Sequence, residues 1–357
     1  MNTNKINTNC KYFLGHIPCK IHKEQGNKCY DCDKYQPIDY KILIIKLAAV
    51  GDVIRTTPLL HKLKQEHSNS MIYWITYTPE VLPDIVDKKF NFTLENTLVL
   101  ENTHFNKAIN LDKDAHASAL MNKINADEKY GFYLKDGNPA PCNELAEHKF
   151  LTGLFDDVNK NNTKSYVEEI FEICNYKFSG EEYILNTIDN NIDWHLNKSK
   201  KIIGLNTGCG NRWVSRLWNF DYWVELIKLL QKENYTPLLL GGPQEDERNQ
   251  KLSQITRAEY KGYFSLSKFT SLMNECDVIV TAVTMALHLA IGLKKQVILM
   301  NNIFNPKEFE LYGRGKIIEP KNKCKCYFSP KCKNEEYFCL DSLTPDMILN
   351  AIKDILK

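Results

Sequence analysis

The longest apolar runs of the chain alternate with amphipathic segments, and that order sets the fold class. Lys41-Ile42-Leu43-Ile44-Ile45-Lys46-Leu47 is nearly continuous in apolar residues, as expected of a strand covered on both faces. It breaks at Gly51, read as the glycine of a tight turn, and Pro58 opens a helical pattern with Leu59, Leu60 and Leu63 on one face. Met71 to Tyr77 supplies a second strand, so the chain starts as a parallel βαβ unit with right-handed crossovers. Ala108 to Leu111 reads as another buried strand, followed by a helix over Ala115 to Ile124. From about Tyr130 to Tyr166 the periodicity lapses, which predicts a long irregular insertion with one helix around Glu144 to Leu154.

Thr187 to Lys201 is polar and is the candidate linker, after which the pattern restarts. Lys201 to Asn206, Tyr235 to Leu240, Asp277 to Thr281 and Gln296 to Met300 read as strands. The helices between them are expected near Asp221 to Lys232, with Trp223, Leu226, Ile227 and Leu230 at helical spacing, near Ser267 to Asn274, and near Met285 to Leu293. The expected fold class is therefore α/β, as two doubly wound, Rossmann-like halves facing each other, with ligands at the carboxyl ends of the strands. The division read from the sequence is a Cys-rich segment over 1–38, a first domain over 39–190, a second over 191–320, and a Cys-rich segment with a terminal helix over 321–357.

Charge and composition narrow the function classes. Forty-six Lys plus Arg against forty-four Asp plus Glu leave a net charge of +2, which argues against a nucleic-acid binder working through a broad basic face. An apolar content of 43% argues against a disordered polyelectrolyte. The first forty residues hold no apolar secretory core, and the longest uncharged apolar stretch, Val278 to Leu293, is shorter than the roughly 18 residues of a membrane span. The expectation is a cytoplasmic protein without a transmembrane segment.

Four segments at strand ends could carry chemistry. In the first, Gly51-Asp52-Val53-Ile54-Arg55-Thr56-Thr57-Pro58, Asp52 is either the acidic N-terminal partner of a helix or a general base for an attacking hydroxyl. The second, Asn206-Thr207-Gly208-Cys209-Gly210 followed by Arg212, Arg216, Trp218 and Trp223, sets a small-residue turn before two arginines, which suits a diphosphate. Cys209 reads as a small residue near a close backbone approach, with no base beside it. The third, Gly241-Gly242-Pro243-Gln244-Glu245, is a sharp turn. In the fourth, Thr281 to His288, Thr284 and the first free N–H groups of a helix, at Met285 and beyond, could cradle phosphate, with His288 one turn inside.

In this order and spacing, from about Lys41 to Pro320, the segments resemble glycosyltransferase family 9, the heptosyltransferases. The family's GD-x(5)-P looks like Gly51-Asp52 to Pro58, its HPG like Asn206-Thr207-Gly208, and its KRWP-x-x-x-W like Arg216 to Trp223. Its GGPxE looks like Gly241 to Glu245, and its DSG-x-x-H like Val283 to His288. The resemblance implies a GT-B fold, the acceptor bound mostly by the N-terminal half and a sugar nucleotide by the C-terminal half, with inverting transfer and no catalytic metal. It implies Asp52 as base and Arg216, in the place of a lysine, as the charge on the leaving diphosphate. Donor contacts would come from Thr207, Gly208, Arg212, Gly241, Gly242, Thr284, Met285 and His288, and acceptor-side contacts from Gly51, Thr56, Asp112 and Asp114. Asp112 and Asp114, at another strand end, are the second choice for the base. Val283 and Met285 replace the family's aspartate and glycine, which removes a carboxylate from the donor site.

Eight of the twelve cysteines lie near the two ends. Cys324, Cys326, Cys332 and Cys339 form the tighter set, and Cys10, Cys19, Cys29 and Cys32 a looser one ending in Cys-x-x-Cys. In a reducing compartment such quartets favour structural zinc or iron over disulfides, and some protein-modifying relatives of the family resemble this chain in carrying a four-cysteine iron site. Cys142, Cys174 and Cys276 read as small core residues. The expected activity is transfer of a sugar, heptose from ADP-heptose foremost, to a lipopolysaccharide-core, other glycan or protein hydroxyl, with peripheral contact at the inner face of the cytoplasmic membrane as a further expectation. The alternative is an inactive, Cys-rich metal- and nucleotide-binding interaction protein. A dinucleotide-dependent oxidoreductase is disfavoured because no G-x-G-x-x-G follows the first strand.

Overall fold

The computed structural model describes residues 6–186 and 192–357. The start of the linker candidate and the expected boundary at 190 and 191 lie outside the described residues. The chain forms two compact units. The first holds the described residues through Ala48, then Pro58–Phe150 and Ile170–Lys177. The second holds Ala49–Thr57, Leu151–Glu169 and the described part of Phe178–Lys357.

The first unit is built on β1 (Tyr40–Ile45), β2 (Ser70–Thr76), β3 (Lys88–Asn91), β4 (His104–Asn110), β5 (Asn125–Lys135) and β6 (Asn138–Pro141). Their order is β3-β2-β1-β4-β5-β6, the dinucleotide-fold order, parallel except for β6. β1 is central and its last four residues are fully buried, as its unbroken apolar run requires. Leu43, Ile45, Phe105, Leu120 and Met121 form the core beside it. The second unit repeats the plan with β7 (Ile202–Asn206), β8 (Thr236–Leu240), β9 (Glu259–Tyr260), β10 (Val278–Ala282), β11 (Gln296–Met300) and β12 (Gly315–Ile318). Here the order is β12-β11-β10-β7-β8-β9, again with the first strand central. Trp218, Trp223, Leu226, Leu230, Val280, Ile298 and Ile352 pack as its core. Among the described residues no helix is long and apolar enough to cross a membrane.

Three expectations change. Gly51 lies inside a short helix, Val50–Ile54, and not in a turn. The stretch expected to be irregular instead begins with the β5–β6 hairpin; the helix expected around Glu144 to Leu154 is present as Glu147–Thr152, and Asp156–Asn161 adds another. The hairpin turns on Asp136-Gly137, both with positive φ (49° and 79°), the two-residue geometry that Asp-Gly favours because glycine carries no Cβ penalty there. β6 tolerates Pro139 and Pro141 because it is an edge strand. The strand β3 and the helices Leu94–Glu101 and Asp246–Thr256 are additional to the elements read from periodicity.

Candidate functional site

The second unit gathers the glycine turns at the carboxyl ends of β7, β8 and β10. Asn206, the last residue of β7, donates through Nδ2 to the Gly208 carbonyl (3.2 Å), Thr281 Oγ1 (3.1 Å) and Thr284 Oγ1 (3.3 Å). Thr284 in turn caps the helix Met285–Gly292 by accepting from the Ala286 N–H at 3.2 Å. One buried amide thus ties the β7 turn to that helix N-terminus. Thr207 donates to Asn249 Oδ1 at 2.6 Å, and the Gly242 N–H donates to Glu245 Oε2 at 2.9 Å, which closes the Gly241-Gly242 turn.

Two guanidinium groups stand beside these turns. Arg216 packs on Trp213 and Phe304, 5.5 Å from each ring centroid, and Nη2 donates to the Cys209 carbonyl at 3.4 Å. Among the described residues its Nε has no partner and no carboxylate pairs with it. Burial pulls its pKa down to about 10, a sign of a cation held away from both water and counter-charge. Arg248, on the helix Asp246–Thr256, has a buried Nη1 without a partner among the described residues, and burial lowers its pKa as well, with Glu245 as its charged neighbour. Arg212 lies further out, 5.8 Å over Trp213. Burial raises the Cys209 thiol, so it is not an activated nucleophile. Two desolvated cations stand beside the glycine turns, and a diphosphate has the charge and oxygens to meet both.

The Asp52 segment belongs to this same unit. A Cβ at Gly51 would stand 2.6 Å from His288 Cδ2 and 3.5 Å from the Met285 backbone, so the missing side chain is what lets the two helices meet. Asp52 Oδ1 pairs with Arg55 Nη2 at 2.7 Å, and Oδ2 accepts from the Ala49 N–H at 3.4 Å. Asp52 therefore does serve the first turn of its helix, while its side chain keeps 35% exposure. Thr56 is buried and its hydroxyl donates to the Asp52 and Val53 carbonyls, which is a backbone clasp. His288 is buried, stacks on Tyr183 with centroids 6.2 Å apart, and has no partner at Nδ1 among the described residues. Burial, with Arg55 adding to it, pulls its pKa down to about 3, so it is neutral at physiological pH.

Asp112 and Asp114 lie in the first unit. Asp112 is buried, pairs with Lys46, and accepts from the Leu47 N–H and, at 3.4 Å, from the Ala48 N–H. Asp114 caps the helix Ala115–Lys123 through the Ala117 N–H at 2.9 Å. Asp112 thus holds backbone at a strand end and Asp114 at a helix start. Of the cysteines, Cys326 and Cys332 have sulfurs 3.8 Å apart, Cys324 Sγ accepts from the Cys326 N–H at 3.2 Å, and Cys339 Sγ from Asn302 Nδ2 at 3.4 Å. Cys19 caps the helix Lys20–Gln25, and Cys10 bridges to Pro37. Among the described residues, no three His, Cys, Asp or Glu side chains form a group that could hold a metal ion, at either cysteine quartet. Cys174 and Cys276 are buried and Cys142 is half-buried.

The family model for glycosyltransferase family 9 (heptosyltransferase) matches residues 99–338. The chain belongs to glycosyltransferase family 9. As a family 9 protein it is a glycosyltransferase, and its fold is GT-B, two parallel-sheet α/β domains. A family 9 glycosyltransferase from Veillonella parvula is similar in structure, with a TM-score of 0.70 at 19% identity, over 89% of this chain and 97% of the other. E. coli ADP-heptose lipopolysaccharide heptosyltransferase II gives 0.64 at 16% identity, over 88% and 98%. The iron-containing dodecameric glycosyltransferase TibC from enterotoxigenic E. coli gives 0.55 at 11%, over 89% and 76%. No curated protein matches by sequence. Within the family 9 pattern, Val283 offers no carboxylate, and the hydroxyls of Thr281 and Thr284 with the Asn206 amide form the polar network beside it. Reading by motif missed Arg55, Tyr183 and Arg248. The first stands one helical turn after Asp52, a spacing visible in the sequence, whereas the others reach the site only through tertiary packing.

Proposed function

We propose that the chain transfers heptose from ADP-heptose, with inversion, to a hydroxyl of a lipopolysaccharide-core glycan, another glycan or a protein. The observation that carries this reading is the pair of desolvated, unpaired guanidinium groups of Arg216 and Arg248 beside the β7 turn. Similarity to E. coli heptosyltransferases, one of them bound to ADP, supports the choice of nucleotide. In this mechanism Arg216, Arg212 and the N–H groups around Thr207, Gly208, Thr284 and Met285 hold the diphosphate, and the Gly241-Gly242 turn lets the nucleotide approach the backbone. Asp52 takes the proton from the acceptor hydroxyl as that oxygen bonds to the anomeric carbon. The carbon–oxygen bond to the diphosphate breaks, its electron pair leaves with ADP, and Arg216 neutralises the new charge. His288, neutral, supplies hydrogen bonding without adding charge. Calorimetry with ADP, UDP, GDP and CMP tests the donor: ADP is expected to bind tightest, and binding of none of them would overturn the reading.

We also propose that Cys324, Cys326, Cys332 and Cys339 hold one structural zinc or iron. The donor chemistry fits: the 3.8 Å between two of the sulfurs is about the separation on a tetrahedral ion with bonds of about 2.3 Å. The Lys333 N–H donates to Cys326 Sγ at 3.0 Å and lowers that thiol's pKa, while burial pushes Cys324 up to about 12. A bound ion would supply a cross-link and take no part in transfer. Metal analysis of purified protein is expected to give about one ion per chain, and Cys326→Ser with Cys332→Ser to remove it. Metal-free protein with these four thiols titratable under native conditions would contradict this.

A further inference from the structure

Arg55 is the group the transfer mechanism leaves without a task. Its guanidinium carbon lies 3.4 Å from the centroid of the Tyr166 ring, so the cation is stacked face-on, and Nη2 reaches Asp52 Oδ1 at 2.7 Å. The side chain is only 15% exposed. Desolvation opposes its charge and Asp52, with Glu308 behind it, favours it, so the group stays a cation. Its Nε is buried without a partner among the described residues. A half-satisfied buried guanidinium is a poor stabilising device, because its desolvation cost is repaid only through a close ion pair. The carboxylate it meets is Asp52.

Resting on the transferase reading above, we propose that Arg55 is the positioning residue of Asp52, clamping one carboxylate oxygen and keeping the carboxylate ionised in a single orientation. Tyr166, buried at the start of the helix Tyr166–Ile173, fixes the plane of the guanidinium, and with it the Asp52 side chain. Among the described residues, His288, neutral through burial, Tyr183, whose pKa burial raises, and Glu308 also face the pair. None of them can replace the cation. Arg55 contributes its charge to Asp52 and touches no reacting atom in this account.

The test reads Asp52 itself. Carbodiimide couples an amine through a protonated, accessible carboxyl, so the coupling rate at Asp52 near pH 6, followed by peptide mass spectrometry, reports how firmly the pair holds. Arg55→Gln is expected to couple at least about tenfold faster than wild type and Arg55→Lys within about threefold of it, since only the first removes the charge. Tyr166→Leu is expected to fall between them, about threefold or more above wild type, because the cation stays but loses its ring. ADP binding and thermal melting report whether each variant is folded. Equal coupling of Asp52 in wild type and folded Arg55→Gln overturns the proposal, and if that variant does not fold, unchanged coupling in Tyr166→Leu does so. Failure of the wild type to release ADP from ADP-heptose would instead remove the transferase reading, while the coupling rates still decide the clamp.

Discussion

Asp52→Asn is expected to lower turnover of ADP-heptose by about a thousandfold, within the range of about 10² to 10⁴ that a positioned base contributes. The amide keeps the shape of the carboxylate but cannot accept the acceptor's proton. Its oxygen still accepts a hydrogen bond from Arg55, so the helix Val50–Ile54 should stay docked on His288 through Gly51. ADP affinity should therefore change by less than about threefold, since no part of the proposed diphosphate cradle is altered. Coupled detection of ADP release, with calorimetric titration of ADP on the same preparations, checks both halves. Turnover that survives in Asp52→Asn would transfer the base role elsewhere, with Asp112 and Asp114 next in line, although both hold backbone N–H groups in the first unit.

The second large effect is expected on binding. Arg216→Ala removes a buried cation and leaves the Trp213 and Phe304 faces uncovered. Charge-assisted hydrogen bonds contribute about 1.5 to 3 kcal/mol, so ADP should bind about 10- to 150-fold more weakly. Stability of the free protein should fall little, or rise, because the guanidinium forms no ion pair with a carboxylate among the described residues and gives up water to sit there. Arg216→Lys should recover most of the affinity, since the point charge remains and only the fork is lost. Loss of stability without loss of ADP affinity would mean that Arg216 is a packing residue and that the anion site lies elsewhere.

Much of the fold could be read from the chain because the inner strands of both sheets are parallel and buried on both faces. Their strands are continuous apolar runs, and β1, β7, β10 and β11 stand out for that reason. The edge of the first sheet escaped notice: β5 is long, half exposed and polar, and β6 carries two prolines, so neither shows an apolar run. Asp136-Gly137 was the available signal. The glycine turns and Arg216 were legible as motifs, and the structure places them around one set of strand ends. Less legible was why the residues are needed. Gly51 looks like a turn residue in sequence, but its role is to admit His288 from a helix more than 230 positions later, which local pattern cannot encode. Arg55 is hidden in the same way, because its meaning depends on Tyr166 arriving from a separate helix.

The most direct test of the account is incubation of the wild-type protein with ADP-heptose and candidate acceptors, a heptose-free lipopolysaccharide core and a protein substrate among them, with ADP and the glycosylated product followed together. ADP is expected to be released in step with a heptosylated product whose anomeric configuration is opposite to that of the donor. ADP-heptose bound but left intact with every acceptor, or a product that retains the donor's configuration, would contradict it.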